Sequence, residues 1–274
     1  MSGVLSILAG DNAAGSAWTP ASLGAGLALW IQPNLSTMNQ SFDNTGAAAA
    51  ANADPDGYIA DLSGNGFDLH TVATDTTRPL LQGVGVHPYL DFDGVNDVML
   101  RTATNALGLY SSGAQFSIWG AFSGNSAISA KLVAETSSSS TNPFVVTHGA
   151  GTSIADHEDE FYRNDTGVTL TQNALNTATP GYWNNADHVI GYTDTTTQLQ
   201  AYLDGTGTGL VSYSSGRTGT MTVNQFVLGA LLRSTAANWF AARVYCLIAY
   251  KGVLSAPDIA HLNTYVGTTC GLTL

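Results

Sequence analysis

Basic residues are scarce in this chain of 274 residues. Eight Lys and Arg stand against 20 Asp and Glu, which gives a formal net charge of −12, and the first basic residue is Arg78. A chain of this charge would be repelled by nucleic-acid phosphates and by anionic membrane surfaces, because binding to either depends on basic side chains. The composition therefore favours neutral partners such as sugars, and it leaves other proteins open as partners.

Cysteines and long apolar runs are also scarce. Two cysteines, Cys246 and Cys270, are too few for a disulfide framework, and their spacing is not that of a zinc site. No stretch of about 20 apolar residues occurs, so the sequence predicts no membrane span. Residues 1–17 carry no Lys or Arg ahead of their short apolar run, which argues against a secretory signal and predicts cytoplasmic synthesis.

The N-terminal segment differs in composition from the rest. Residues 1–17 are small, polar and rich in Gly and Ala, and we interpret them as an arm that anchors the protein to a partner. From Leu27 the pattern changes, because Leu27, Leu29 and Ile31 alternate with residues of a second face, as is typical of a β-strand. We therefore expect a single folded domain over residues 18–274.

Strand patterns fill most of this domain. Residues 89–92 and 98–100 flank a turn at 93–97, and this pattern predicts a hairpin. Further strands are predicted at 116–122, 131–135, 144–148, 188–193, 199–204, 225–231 and 240–250. Only one helix is well signalled, beginning at Ser255 with Asp258 three positions later as a capping pair. Many strands and one terminal helix predict an all-β sandwich or barrel.

Four segments resemble the laminin-G-like and concanavalin A-like superfamily. They are YLDFDGVND at 89–97, QFSIW at 115–119, QAYLDG at 200–205, and RVY followed by GVLS between Arg243 and Ser255. The resemblance spans residues 18–274 and implies a two-sheet antiparallel jelly-roll sandwich with one short C-terminal helix. Members of this superfamily bind glycans, proteins or lipids, and a minority hydrolyse polysaccharides, so the fold alone does not name the function.

A narrower resemblance concerns the start of the domain. The WTPA sequence at 18–21, Trp30 and the DLSGNG turn at 61–66 resemble lectin-like modules of bacteriophage virion proteins. This implies a protein made in the bacterial cytoplasm and carried on a virion surface, on head or tail. Its expected partners are other virion proteins, through the arm, and cell-surface or environmental glycans; a homo-oligomer is left open.

Sugar recognition needs an aromatic side chain beside amides or carboxylates, because the ring packs on C–H groups while the polar groups bind hydroxyls. Tyr182, Trp183 and Asn184 together supply both parts. Tyr162 and Trp239 are further candidates, because they fall in predicted loops or strand ends. For Trp183, packing over a sheet edge explains the residue as well as sugar binding does.

Metal and catalytic sites are less well supported. Oxygen ligands for Ca²⁺ cluster at Asp61, Asn65 and Asp68 and again within 91–97. Because Asp and Asn in turns more often bond their own main chain, we expect no metal or other cofactor, and Ca²⁺ is left open as the alternative. The acidic run at 156–160 has the alternate spacing of a glycoside hydrolase strand without its residue identities.

The sequence therefore favours a non-enzymatic, lectin-like virion protein that adheres to glycans. A decoration protein that binds no glycan is the first alternative. A polysaccharide hydrolase using Asp156, Glu158 and Glu160 is the second.

Overall fold

Two antiparallel β-sheets face each other across one interior, which confirms the predicted all-β sandwich. The structure is a computed structural model that describes residues 18–34, 38–41, 44–45, 47–49, 51–71, 77–102, 107–109, 114–124, 131–140, 144–150, 157–167, 169–172, 185–213, 219–234 and 236–274. The predicted arm, residues 1–17, lies outside this part of the chain.

Nineteen strands and two helices make up the described part of the chain. A 3₁₀ helix at Pro20–Gly26 precedes the first strand, and one α-helix, α1, spans Ala256–Thr269 near the C-terminus. The strands are β1 Leu27–Ile31, β2 Met38–Asn39, β3 Tyr58–Ile59, β4 Leu69–His70, β5 Leu80–Gln82, β6 Tyr89–Asp93, β7 Met99–Thr102, β8 Phe116–Gly124, β9 Lys131–Thr136, β10 Phe144–Ala150, β11 His157–Arg163, β12 Thr169–Gln172, β13 His188–Asp194, β14 Gln198–Leu203, β15 Thr206–Ser212, β16 Gln225–Leu228, β17 Ala230–Leu232, β18 Ala236–Trp239 and β19 Ala241–Lys251.

The two large sheets differ in strand order. The first runs β15-β14-β13-β8-β19-β6-β5, with β1 also paired to β19. The second runs β12-β11-β10-β9-β16-β7-β4-β3-β2. Strands β17 and β18 form a separate two-stranded hairpin. Because each strand alternates between an inner and an outer face, the two sheets bury their inner side chains against each other.

The turn at 93–97 does not close a hairpin, so that prediction is wrong. Strand β6 pairs with β5 and β19 in the first sheet, whereas β7 pairs with β4 and β16 in the second. The chain therefore crosses between the sheets at this turn. The alternation of apolar and polar residues cannot distinguish a hairpin from a crossing. A strand has one apolar face whether the next strand lies beside it in the same sheet or opposite it in the other sheet. The QAYLDG segment at 200–205, which resembles a hairpin of the laminin-G-like superfamily, does lead into a hairpin, since β14 pairs with β15.

The interior is rich in large aromatic side chains. Those of this cluster that are at most 2% exposed include Phe92, Phe116, Phe122, Tyr162, Tyr192, Phe226 and Phe240. Burial of each such side chain contributes about 1.5–3 kcal/mol before the entropy of ordering it is subtracted. This shared cluster, rather than disulfides, holds the sheets together, because Cys246 and Cys270 are free and buried.

Helix α1 covers part of the outer face of the first sheet. Ser255 caps it as predicted, with its hydroxyl oxygen accepting from the Asp258 main-chain N–H at 3.4 Å. The helix packs on β8, β13 and β19, and Trp119 is fully buried beneath it. Neither helix in the described residues is long and apolar enough to cross a lipid bilayer.

Candidate functional site

A cleft of about 360 Å³ opens where β6, β19 and β8 lie side by side. Strand pairing places Arg243 of β19 between Asp91 of β6 and Ser123 of β8. The lining residues are Asp91, Phe92, Ser123, Gly124, Asn185, Ala241, Ala242 and Arg243. The cleft therefore combines acidic, basic, hydroxyl and amide side chains with small residues that leave space for a ligand.

Arg243 packs against an aromatic pair beside the cleft. Its guanidinium carbon lies 5.5 Å from the centre of the Tyr89 ring, which is a cation–π distance. The ring centres of Tyr89 and Tyr245 are 5.0 Å apart, and the Tyr245 hydroxyl donates a 3.1 Å hydrogen bond to Asp187. Burial and the Asp187 carboxylate raise the pKa of Tyr245, so its hydroxyl stays a donor. These contacts hold Arg243 in place as a permanently charged donor.

Three carboxylates lie on the Asp91 side of the cleft and in the adjoining turn. Asp93 Oδ1 accepts a 2.7 Å hydrogen bond from the Val95 main-chain N–H, and Asp97 Oδ2 accepts one of 2.8 Å from that of Asp93. Burial raises the pKa of Asp91, while Arg243 opposes the rise. Burial also raises the pKa of Asp97 to about 7, and the charges of Asp93 and Asp91 add to the shift. Asp91 is the member of this group that lines the cleft.

Asn185 forms the opposite margin of the cleft. Its main-chain N–H donates a 3.1 Å hydrogen bond to Gly124 O, and its φ of 66° lies in the left-handed region, which Asn tolerates better than most residues. The Asn185 side chain is exposed. The predicted sugar contacts Tyr182, Trp183 and Asn184 immediately precede it in the chain but lie outside the described residues.

The structure does not support the expected exposure of Tyr162. This side chain is 1% exposed and belongs to the interior cluster, because β11 continues through Arg163 instead of ending in a loop. A sugar therefore cannot stack on Tyr162 in the folded domain, which corrects that prediction. Trp239 lies on β18, where it is half-buried against a small apolar cluster that includes outward-facing residues of the second sheet. Neither residue lines the cleft at Arg243.

The carboxylates considered for Ca²⁺ take part in turns. Asp61 accepts from the main-chain N–H groups of Trp30, Ser63 and Phe67, at 2.9–3.0 Å. Asp68 in turn accepts from the Asp61 main-chain N–H at 2.9 Å. Among the residues that the structure describes, no group of three or more His, Cys, Asp or Glu is placed to hold a metal ion.

The proposed hydrolase motif is described only in part. Asp156 lies outside the described residues, whereas Glu158 and Glu160 lie on β11. The register pairs Glu158 with Gly149 and Glu160 with Thr147. The alternate spacing on a strand is therefore correct for Glu158 and Glu160.

A second depression lies between α1 and the loop that precedes β6. It has a volume of about 580 Å³, and its lining includes Trp18, Val86, His87 and Tyr265. Trp18 stacks on His261 with ring centres 5.3 Å apart. This groove has an aromatic margin, and its described lining includes no Asp, Glu, Lys or Arg, unlike the cleft at Arg243.

Sequence reasoning assigned Ser123 and Arg243 to no site, and it considered Asp91 only as a Ca²⁺ ligand. A usable signal existed, because Asp91 and Arg243 are charged residues at mid-strand, each between two apolar neighbours. Such a residue faces outward from a sheet whose other face is buried. The pairing of β6, β19 and β8 could not be deduced from the sequence, because it brings together residues more than 100 positions apart.

Comparisons with known proteins show the fold. No family model and no curated protein matches this chain. The binding domain of Paraclostridial Mosquitocidal Protein 1 is 13% identical with a TM-score of 0.55, and the match covers 89% of this chain and 53% of that one. The receptor binding domain of botulinum neurotoxin D is 12% identical with a TM-score of 0.56, covering 89% and 53%.

A further match is the botulinum neurotoxin serotype D ligand binding domain solved in complex with N-acetylneuraminic acid. It is 12% identical with a TM-score of 0.55, and the match covers 90% of this chain and 52% of that one. The chain thus spans about half of the length of these solved chains. At these identities the likeness establishes a lectin-like β-sandwich fold.

Proposed function

We propose that this domain is a non-catalytic, lectin-like module that binds glycans at the cleft around Arg243. The observation that carries the proposal is the strand pairing that places Arg243 between Asp91 and Ser123, with Asn185 across the cleft. Sugar hydroxyls both donate and accept hydrogen bonds, so a site needs both kinds of partner. Asp91 supplies acceptors, Arg243 supplies donors, and the exposed Asn185 side chain supplies both. Ser123 is buried, so it lines the cleft but is not a proposed sugar contact.

Aromatic packing supports the same proposal. Tyr89 is half-buried and its ring packs against Arg243 beside the cleft, so we propose it as a contact at the margin of the site. An aromatic ring beside hydrogen-bonding groups is the usual arrangement for a sugar ring. Trp183 is a proposed additional contact, because it lies two positions before Asn185 in the chain. Tyr182 and Asn184 are proposed with it.

The absence of catalysis is part of the proposal. Glycoside hydrolases of the common type use two carboxyl groups on either side of the scissile bond. Asp91 is the only carboxylate among the lining residues within the described part of the chain, and Asp93 and Asp97 are bonded within the adjoining turn. This arrangement favours binding over hydrolysis.

We place this module on the surface of a phage particle. The resemblance of residues 18–21 and 61–66 to phage lectin-like modules supports this location, and residues 1–17 are the proposed attachment to other virion proteins. The fold is shared with receptor binding domains, one of them solved with a bound sugar. Many copies on one particle convert weak single-site binding into strong attachment, so millimolar affinity would suffice.

A glycan array probed with the full chain tests the binding proposal. Arg243→Gln is the test variant, and Lys251→Gln is its control, because both remove one positive charge from β19 while Lys251 lies at its far end. Loss of a hydrogen bond to a charged group costs about 1.5–3 kcal/mol, so Arg243→Gln should bind roughly tenfold or more weakly than the wild type. The proposal fails if the array gives no signal, or if the two variants lose binding equally.

A structural decoration role without glycan binding is the second candidate. It is favoured by the burial of Tyr162, because one of the five aromatic or amide residues predicted to contact sugar packs in the interior instead. Particles lacking this protein would then adsorb normally but release DNA at a lower temperature. Normal heat resistance with reduced adsorption would instead favour the lectin-like role.

A further inference from the structure

Negative charge outweighs positive charge around the cleft. Among the lining residues that the structure describes, Arg243 is the only basic one and Asp91 is acidic. In the adjoining turn, the Asp93 main-chain N–H donates to the Asp97 carboxyl group. On the other side, Asp187 acts electrostatically on Arg243 and accepts the Tyr245 hydroxyl. One guanidinium therefore stands among the carboxylates of Asp91, Asp93 and Asp187, with the Asp97 carboxyl, whose pKa burial raises to about 7, beside them.

The sequence that adjoins two of the lining residues is also free of Lys and Arg. Residues 125–130 follow Gly124, residues 173–184 precede Asn185, and neither segment contains a Lys or Arg. The whole chain carries only eight basic residues and a net charge of −12. An anionic ligand that approaches this face therefore meets repulsion at long range as well as at the cleft.

We propose that the cleft selects uncharged glycans and rejects glycans that carry a carboxylate. This inference rests on the proposed glycan binding at the same cleft. The positive charge of Arg243 is already offset by Asp91 and Asp187, so a ligand carboxylate would gain little from it and would be repelled by the surrounding acidic groups. A neutral hydroxyl, in contrast, donates to Asp91 and accepts from Arg243. The specificity therefore differs from that of the similar domain solved with N-acetylneuraminic acid, an anionic sugar.

The test compares one sugar with and without charge. The neutral oligosaccharide that binds best on the array is oxidised at its primary alcohols to carboxylates, and both forms are titrated into the full chain. We expect at least tenfold weaker binding of the oxidised form at low salt. Added salt screens exposed charges, so the difference in affinity between the two forms should shrink at 0.5 M NaCl. A difference caused by a steric clash would not depend on salt.

Two variants separate charge from shape. Asp91→Asn removes one negative charge from the cleft and should reduce the difference in affinity between the neutral and the oxidised glycan. Asp258→Asn removes one negative charge at the start of α1, away from the cleft, and should leave that difference in affinity unchanged. Equal or tighter binding of the oxidised form would overturn this inference while leaving glycan binding intact. No binding of any array glycan would overturn both.

Discussion

Trp119 Nε1 donates a 2.8 Å hydrogen bond to Asn263 Oδ1, and both side chains are buried between the first sheet and α1. This bond joins positions 144 residues apart and ties the C-terminal helix to a central strand.

Asn263→Ala should therefore destabilise the domain. The substitution leaves the Trp119 N–H buried without its acceptor, which costs about 1–3 kcal/mol. Urea unfolding of the variant measures the loss, and Thr264→Ala, at an exposed position of the same helix, should change stability by at most about 0.5 kcal/mol. Equal stability of the wild type and Asn263→Ala would show that this bond does not hold the helix.

Gly191→Ala should also destabilise the domain, through overcrowding. A Cβ at this position of β13 would overlap the indole of Trp119, and extra carbon in a packed site costs about 1–3 kcal/mol. Gly207→Ala is the control, because its nearest neighbour, the Tyr202 ring, would be 3.4 Å from the new Cβ. Similar unfolding midpoints for both variants would contradict the packing described at Trp119.

Stability should fall as pH rises through neutrality, because of Asp97. Its pKa is about 7 in the folded protein against 3.8 for an ordinary carboxyl group, so the folded state binds this proton more tightly than the unfolded state. The stabilisation is therefore fully present below about pH 4 and is lost as pH rises through 7. The contribution of Asp97 is about 2–4 kcal/mol, since one pKa unit corresponds to ~1.4 kcal/mol.

Asp97→Asn should reduce this decline, because the amide oxygen can still accept from the Asp93 N–H without titrating. Urea unfolding at pH 5 and pH 8 provides the comparison. Asp56 is also buried with a raised pKa, so part of the decline should persist in the variant. An unchanged difference between the two pH values would show that Asp97 is not protonated in the folded protein.

Tyr162→Ala should lower stability without changing sugar affinity. Tyr162 is packed in the interior, and truncation of a buried aromatic costs about 3–5 kcal/mol. Trp183→Ala is the contrasting change, since that residue is a proposed glycan contact. Array binding measured on folded protein at low temperature distinguishes them. Reduced affinity for Tyr162→Ala at full stability would return this residue to the list of sugar contacts.

Much of the fold follows from local pattern. The alternation at β1, the QAYLDG turn between β14 and β15, and the Ser255 cap all depend on neighbouring residues, and each was predictable. The crossing between the sheets at 93–97 was not predictable from local pattern, because β6 is held in the first sheet by β19, about 150 residues later in the chain. The site was missed for the same reason: Asp91 and Arg243 meet only through that pairing.

The most direct test of the account maps the bound glycan on the protein. Backbone amide shifts of the ¹⁵N-labelled full chain are followed during titration with the best neutral glycan from the array. We expect the shifted amides to cluster at Tyr89–Asp93, Ser123, Asn185 and Ala241–Tyr245, around the cleft. Shifts confined to the groove at Trp18 and Tyr265, or no shifts at saturating glycan, would contradict binding at Arg243.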